Sequence, residues 1–218
     1  MILALAASVC AGFALLWLWT AQKGWKGMML ERRINQEQTI SQETLAHVWD
    51  NVKELNSTFF TGSHVHFPGL AGQMLIMDES VPAEVRSTVF ISSEASIRNA
   101  LTREPADSFA WARLAWLSYL QSGPSPGSLA ALKMSIYTAP AKKSLLFWRI
   151  RLCVQNRAYW DEELTSLLKR QIALAWSVSP GRLAAVAAES GIEDLSKEVL
   201  QGKPEDLKRF EHLLSRHN

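Results

Sequence analysis

One short phrase is written three times in the second half of this chain, and it constrains the fold more than any other feature. Ser96-Ile-Arg-Asn-Ala-Leu-Thr-Arg-Glu-Pro105 is followed by Ala131-Leu-Lys-Met-Ser-Ile-Tyr-Thr-Ala-Pro140 and by Gln171-Ile-Ala-Leu-Ala-Trp-Ser-Val-Ser-Pro180. Each copy carries a branched aliphatic residue eight places before the proline (Ile97, Leu132, Ile172) and a small residue five places before it (Ala100, Ser135, Ala175). That is the pattern of a helix with one apolar face, ended by a proline that cannot continue it. The prolines recur at intervals of 35 and 40 residues, within the periods of helical repeat arrays. The chain is therefore expected to be all-α.

The segments around the repeats read as follows. Met1 to Thr20 contains no charged side chain, and about 20 apolar residues in a helix span roughly 30 Å of hydrocarbon. Trp17, Trp19 and Trp25 follow where an interfacial aromatic belt would lie, and then Lys23, Lys26, Arg32 and Arg33. Residues 1–22 are expected to form a single transmembrane helix. A cleavable signal peptide fits less well, because the start is uncharged and Thr20-Ala21-Gln22 makes a poor cleavage site. A lipoprotein signal fits poorly too, since Cys10 comes early and follows Val9.

Residues 23–92 are expected to hold a stalk, a helix and a long loop. Thr39-Ile-Ser-Gln42 offers a capping box for a helix with Leu45, Val48, Trp49, Val52 and Leu55 on one face. Asn56 to Ser80 carries Gly62, Pro68, Gly69 and Gly72 and reads as a loop. Within it His64 and His66 would point to one side of an extended strand, but no third metal ligand lies near. Pro82 suits the first turn of a helix bearing Val85, Val89 and Phe90, and Ser92 or Ser93 can cap a further helix ending at Pro105.

Residues 93–180 hold the repeats. Asp107 is expected to cap a helix with Trp111, Leu114, Ala115 and Leu117 on its buried side, and Gly123-Pro-Ser-Pro-Gly127 to turn the chain into an antiparallel return. The order of Trp111, Leu114 with Ala115, Ser128, Leu132, Ser135 and Pro140 resembles the tetratricopeptide repeat, in which small residues sit where paired helices touch. The resemblance covers about Glu94 to Pro180 and is degenerate: Leu146 stands where a second tryptophan is expected, and Asn156 to Asp161 is an expanded turn. It implies a solenoid of helical hairpins, with residues 181–218 as a C-terminal helical cap.

Chemistry is sparse. No Gly-rich phosphate loop, Gly-x-Ser-x-Gly elbow, His-Glu-x-x-His or cysteine pair at metal or redox spacing is present. Glu162 and Glu163 diverge by about 100° on a helix and read as first-turn acids matched to its dipole. No enzyme activity, cofactor or metal is expected. A net charge of +2 gives no case for nucleic acid.

Between Lys142 and Arg182, however, eight bases face three acids. A solvated helix face accounts for that run, and an anionic glycan, lipid headgroup or acidic partner is the sharper alternative. The expected function is a membrane-tethered interaction scaffold binding a protein or its own copy. Trp111, Trp116, Tyr119 and Trp148 are its candidate aromatic anchors, with Lys143, Arg149 and Arg151 as rim contacts. A structural subunit of a larger membrane complex and an accessory of glycan chemistry are the alternatives.

A membrane helix followed by such repeats also resembles the small repeat proteins of bacterial envelope and exopolysaccharide assembly. That resemblance implies a domain facing the periplasm from the inner membrane. The four bases after the helix argue instead for the cytoplasm; the periplasmic side is taken here.

Overall fold

The computed structural model describes residues 41–52 and 81–217, with isolated positions 12, 14, 15, 18, 25, 29, 72 and 76. Among the described residues every regular element is helical. None of those helices is long and apolar enough to cross a membrane. The expected transmembrane helix at 1–22, like the His64 and His66 loop, lies outside the described residues apart from single positions. The chain divides into two compact units, Met1–Pro105 and Ala106–Asn218, so the first copy of the phrase closes one unit and the other two lie in the next.

In the first unit, α1 spans Gln42–Val52 and α2 spans Ala83–Arg103. The cap of α1 is Ser41, whose Oγ accepts the Thr44 amide at 3.3 Å, two residues later than the expected capping box. The α2 helix runs unbroken through Ser92 and Ser93, which were expected to start a new helix. Val89, Ser93, Ser96, Ile97, Ala100 and Leu101 form one buried stripe along it, and continuing that stripe outweighs the weak capping preference of a mid-helix serine. The helix stops where Glu104 donates its amide to the Ala100 carbonyl at 2.8 Å, just before Pro105. In the stretch read as a loop, the two described positions, Gly72 and Ile76, are helical. Gly72 is buried so tightly that a Cβ there would lie 1.8 Å from Ser93 Oγ and 3.0 Å from the Trp49 ring. A glycine read as a loop signal is in fact a helical position with no room for a side chain against Ser93 and Trp49.

The second unit contains α3 (Ser108–Ser122), α4 (Pro126–Thr138), α5 (Lys143–Gln155), a 3₁₀ turn (Arg157–Tyr159), α6 (Glu162–Val178), α7 (Pro180–Ser190), α8 (Glu193–Leu200) and α9 (Pro204–Leu214). Caps set most of these boundaries. Asp107 accepts the amides of Phe109 (2.8 Å) and Ala110 (3.2 Å), Ser125 that of Ser128 (3.2 Å), and Asp161 that of Leu164 (2.7 Å). Pro126, Pro180 and Pro204 each occupy a first helical turn, where the missing N–H is not needed.

Helices α3, α5, α7 and α9 pack side by side in one layer and α4, α6 and α8 in a second, with each helix also packed on its chain neighbour from α3 to α9. The α3–α4 pair is stapled by two buried hydroxyls. Ser128 Oγ donates to the Ala115 carbonyl at 2.9 Å and Ser135 Oγ to the Ser108 carbonyl at 2.8 Å. The later residue of α4 meets the earlier one of α3, so the pair is antiparallel. Small residues are required at these rungs because the hydroxyl must reach the backbone of the facing helix. The aliphatic positions of the thrice-written phrase, Ile97, Leu132 and Ile172, are each 0% exposed.

Candidate interaction surface

Three of the expected aromatic anchors come together. On α3, Trp116 and Tyr119 stack with ring centroids 5.5 Å apart, and Trp148 of α5 meets Trp116 edge-on at 6.1 Å. All three are half-buried. Trp148 and Arg151 lie one turn apart on α5 and share a face; Arg151 is ion-paired to Glu189 of α7 at 3.0 Å. This face of the α3–α5–α7 layer therefore presents an aromatic corner beside a charged pair. Trp111, also half-buried, lies about 140° around α3 from Trp116 and joins none of these ring pairs. Lys143 is exposed at the start of α5.

Arg149 is not a rim residue. It is 0% exposed, and its guanidinium reaches the C-terminal end of α4. Nε donates to Ser135 Oγ at 3.1 Å, Nη1 to the Ala139 carbonyl at 2.9 Å and Nη2 to the Ser135 carbonyl. A cation at a helix C-terminus meets the negative end of its dipole. Burial pushes the guanidinium pKa down to about 10, so it stays charged at neutral pH. Neighbouring Cys153 is pushed up to about 12 by burial, which leaves the thiol neutral and unreactive.

The second layer carries a polar network that sequence reasoning missed. Lys133 of α4 bridges Asp161 (2.6 Å) and Glu163 (2.5 Å) at the start of α6, and the Tyr137 hydroxyl donates to Glu163. Hydrogen bonds from Lys133 hold both carboxyls below the usual range. Burial opposes the charge of Lys133, but its bonds to the two acids outweigh that, and its pKa lies above the ordinary value. The acids lie 28 and 30 residues from the lysine, shorter than the 35- and 40-residue repeat intervals, so no spacing in the sequence pointed to the bridge. Beyond them the α6–α8 surface forms an open depression of about 610 Å³ lined by Glu162, Thr165, Ser166, Lys169, Arg170, Ala173 and Val199.

The basic run is largely spent on local contacts, and cations over aromatic rings recur along the layers. Lys142 Nζ lies 4.9 Å from the Phe109 ring centre, Arg182 Cζ 4.5 Å from that of Phe147, and Arg209 Cζ 5.9 Å from that of Trp176. Each cation follows its ring by 33 to 35 residues, so each contact fastens one hairpin to the next. Among the described residues no group of three His, Cys, Asp or Glu side chains could hold a metal ion. No protein-family model matches this sequence, and neither a curated protein nor a solved structure matches the chain.

Proposed function

We propose that this protein is a membrane-tethered interaction scaffold or assembly factor without catalytic activity of its own. In this reading residues 1–22 are the membrane helix, the second unit is a tetratricopeptide-like array of hairpins, and residues 181–218 cap its end. The setting is the inner membrane of a bacterial envelope, with the array on the periplasmic side in polysaccharide assembly or export. The observation that carries the reading is the half-buried aromatic corner of Trp116, Tyr119 and Trp148. Large, rigid aromatic side chains beside a charged pair are the composition of interface anchors. The repeated hairpin contacts support the array, because each unit buries its apolar face against its neighbour.

Site-specific photocrosslinking in intact membranes tests the scaffold. A crosslinker replacing Trp148 is expected to capture one defined protein, or a second copy of this chain. The same group at Lys208, on the exposed face of α9, is expected to capture none. Equal labelling from both positions would sink the assignment of the face. A membrane-impermeant label that fails to reach a cysteine at Arg32 in cells with a permeabilised outer membrane would remove the envelope setting.

A further inference from the structure

The longest helix among the described residues, α2 with 21 residues, keeps one face uncovered. Glu84, Thr88, Ile91, Ala95, Arg98 and Thr102 are all exposed. They recur at alternating steps of four and three residues, the spacing of a coiled-coil seam. They lie within about 80° around the helix, opposite its buried stripe. Ile91 is 68% exposed, and Val85 at the border of the seam is 49% exposed. Thr88 and Thr102 turn their hydroxyls to their own helix, where Oγ1 donates to the Glu84 carbonyl at 3.1 Å and to the Asn99 carbonyl at 2.7 Å. Charge stands only toward the ends of the seam, an acid at Glu84 and a base at Arg98. Arg98 directs Nε and Nη2 to a single oxygen, Oε1 of Glu94, at 2.9 and 2.8 Å. Its side chain is still 64% exposed, and a guanidinium has five donors, so it can take a second carboxylate. The helix dipole accounts for an acid in the first turn, but it does not extend to Arg98, more than a turn from the other end. Nor does it account for the exposed Ile91 between them.

We propose that this face of α2 pairs antiparallel with the same face of a second copy of this chain. The seam is complementary to itself in that direction only. A parallel pair would set Glu84 against the partner's Glu84 and Arg98 against the partner's Arg98. An antiparallel pair centred at the level of Ser93 sets Ile91 opposite the partner's Ala95, large against small, in two symmetric layers. It also sets Thr88 opposite the partner's Arg98, and brings Glu84 within one turn of that arginine at both ends. Two copies of Ile91 leaving water strengthen such a pair on the order of a hundredfold, and each exposed ion pair adds about two- to fivefold. That is too little to join freely diffusing copies. It suffices for copies already concentrated in one bilayer, so the pairing rests on the membrane-tether reading above. Two tethered copies share a two-fold axis normal to the bilayer, and antiparallel α2 helices then lie along its plane.

The test uses the full chain, pure and reconstituted in phosphatidylcholine vesicles, with Cys10→Ser so that the one native thiol left is the buried Cys153. A cysteine replaces Ser92 or Ser87, both exposed on α2, and a short bismaleimide joins any pair within reach. Antiparallel pairing offsets the two copies of position 92 by about 3 Å along the helix axes and those of position 87 by about 18 Å. Dimer is expected to form at least tenfold faster from position 92. Glu84→Arg and Arg98→Glu each turn two attractions into repulsions and are expected to lower the position-92 yield about tenfold. The double swap is expected to restore it to within about twofold, because both copies change together. Ile91→Ser is expected to lower it at least tenfold, and melting curves check that these exposed-site variants keep the fold. Equal rates from positions 92 and 87, in a chain that resists carbonate extraction, would overturn the pairing and leave the tether standing. A double swap as weak as either single change, or an unchanged yield from Ile91→Ser, would also refute it. Capture of a different protein in native membranes, with no dimer in the pure vesicles, would assign the face to another partner. A chain that carbonate strips from the vesicles and that forms no dimer would remove the tether and the pairing together.

Discussion

Replacing Arg149 tests how a charge can sit in the middle of a helical core without a carboxylate partner. Its three hydrogen bonds go to Ser135 and Ala139, and bonds from a charged donor contribute about 1.5–3 kcal/mol each, or roughly 5–9 kcal/mol in all. The fall of its pKa to about 10 sets on the order of 3 kcal/mol against the buried charge. The difference is a net gain of about 2–6 kcal/mol. The lower end of that range is expected, because the Ala139 carbonyl keeps a second donor, the Lys142 amide at 3.2 Å. Arg149→Met preserves most of the volume and should forfeit only this net gain, about 2–3 kcal/mol. Arg149→Ala also strips two methylenes, Cγ and Cδ, from the core, a further loss of about 2 kcal/mol. Arg149→Lys keeps a charge but lacks the fork that reaches both ends of the α4 terminus, and should be no better than Met. Urea unfolding followed by circular dichroism, compared at constant slope, reads all three. A Met variant within about 0.5 kcal/mol of the parent would refute the reasoning, since the hydrogen bonds would then do no more than offset burial.

Ser128→Ala removes the buried bond to the Ala115 carbonyl and is expected to cost about 1–2 kcal/mol in the same assay, with Ser135→Ala similar. Gly123 combines φ 68° with ψ −156°, a region almost confined to glycine. Gly123→Ala should therefore cost about 1–3 kcal/mol, while Gly202→Ala, with open space around it, should be nearly neutral. Asp161 and Glu163 have lowered pKa values. Their contribution is complete above the ordinary carboxylate range and is lost as pH falls below about 4. Lys133→Met should accordingly flatten the acid limb of the stability curve, and an unchanged limb would show that the bridge is not formed in solution. Lys133 itself, with a raised pKa, contributes fully below the ordinary lysine value and loses that only at more alkaline pH.

Local rules were sufficient for much of the architecture. Proline stops, aspartate caps and helical periodicity placed α3 to α9 close to where they lie, because a cap and a missing N–H act within one turn. The readings that needed correction all concern residues whose role is set across space. Ser93 looks like a cap and is instead part of a buried stripe, with no hydrogen-bond partner for its hydroxyl or for that of Ser96. Gly72 looks like a loop and is a buried helical position tight against Ser93 and Trp49. Arg149 sits in a run of bases that reads as a solvated face, yet it points inward, because its place on α5 faces the unsatisfied end of α4. Of the seven residues singled out for a partner, Trp116, Tyr119, Trp148 and Arg151 share one surface, which the periodicity of α3 and α5 taken separately could not reveal.

The sequence by itself determined that the described residues are helical, where most of their helices end, and that a phrase repeating every 35 to 40 residues buries Ile97, Leu132 and Ile172. These follow from interactions within a few residues, whose energies do not depend on what lies opposite. Only the tertiary structure decided which hydroxyls reach a facing backbone and which cation covers which ring. It also decided that Arg149, one of eight neighbouring bases, is buried against the end of α4. Those outcomes depend on groups about 30 residues apart meeting across two layers, and the packing of whole helices fixes which of them meet.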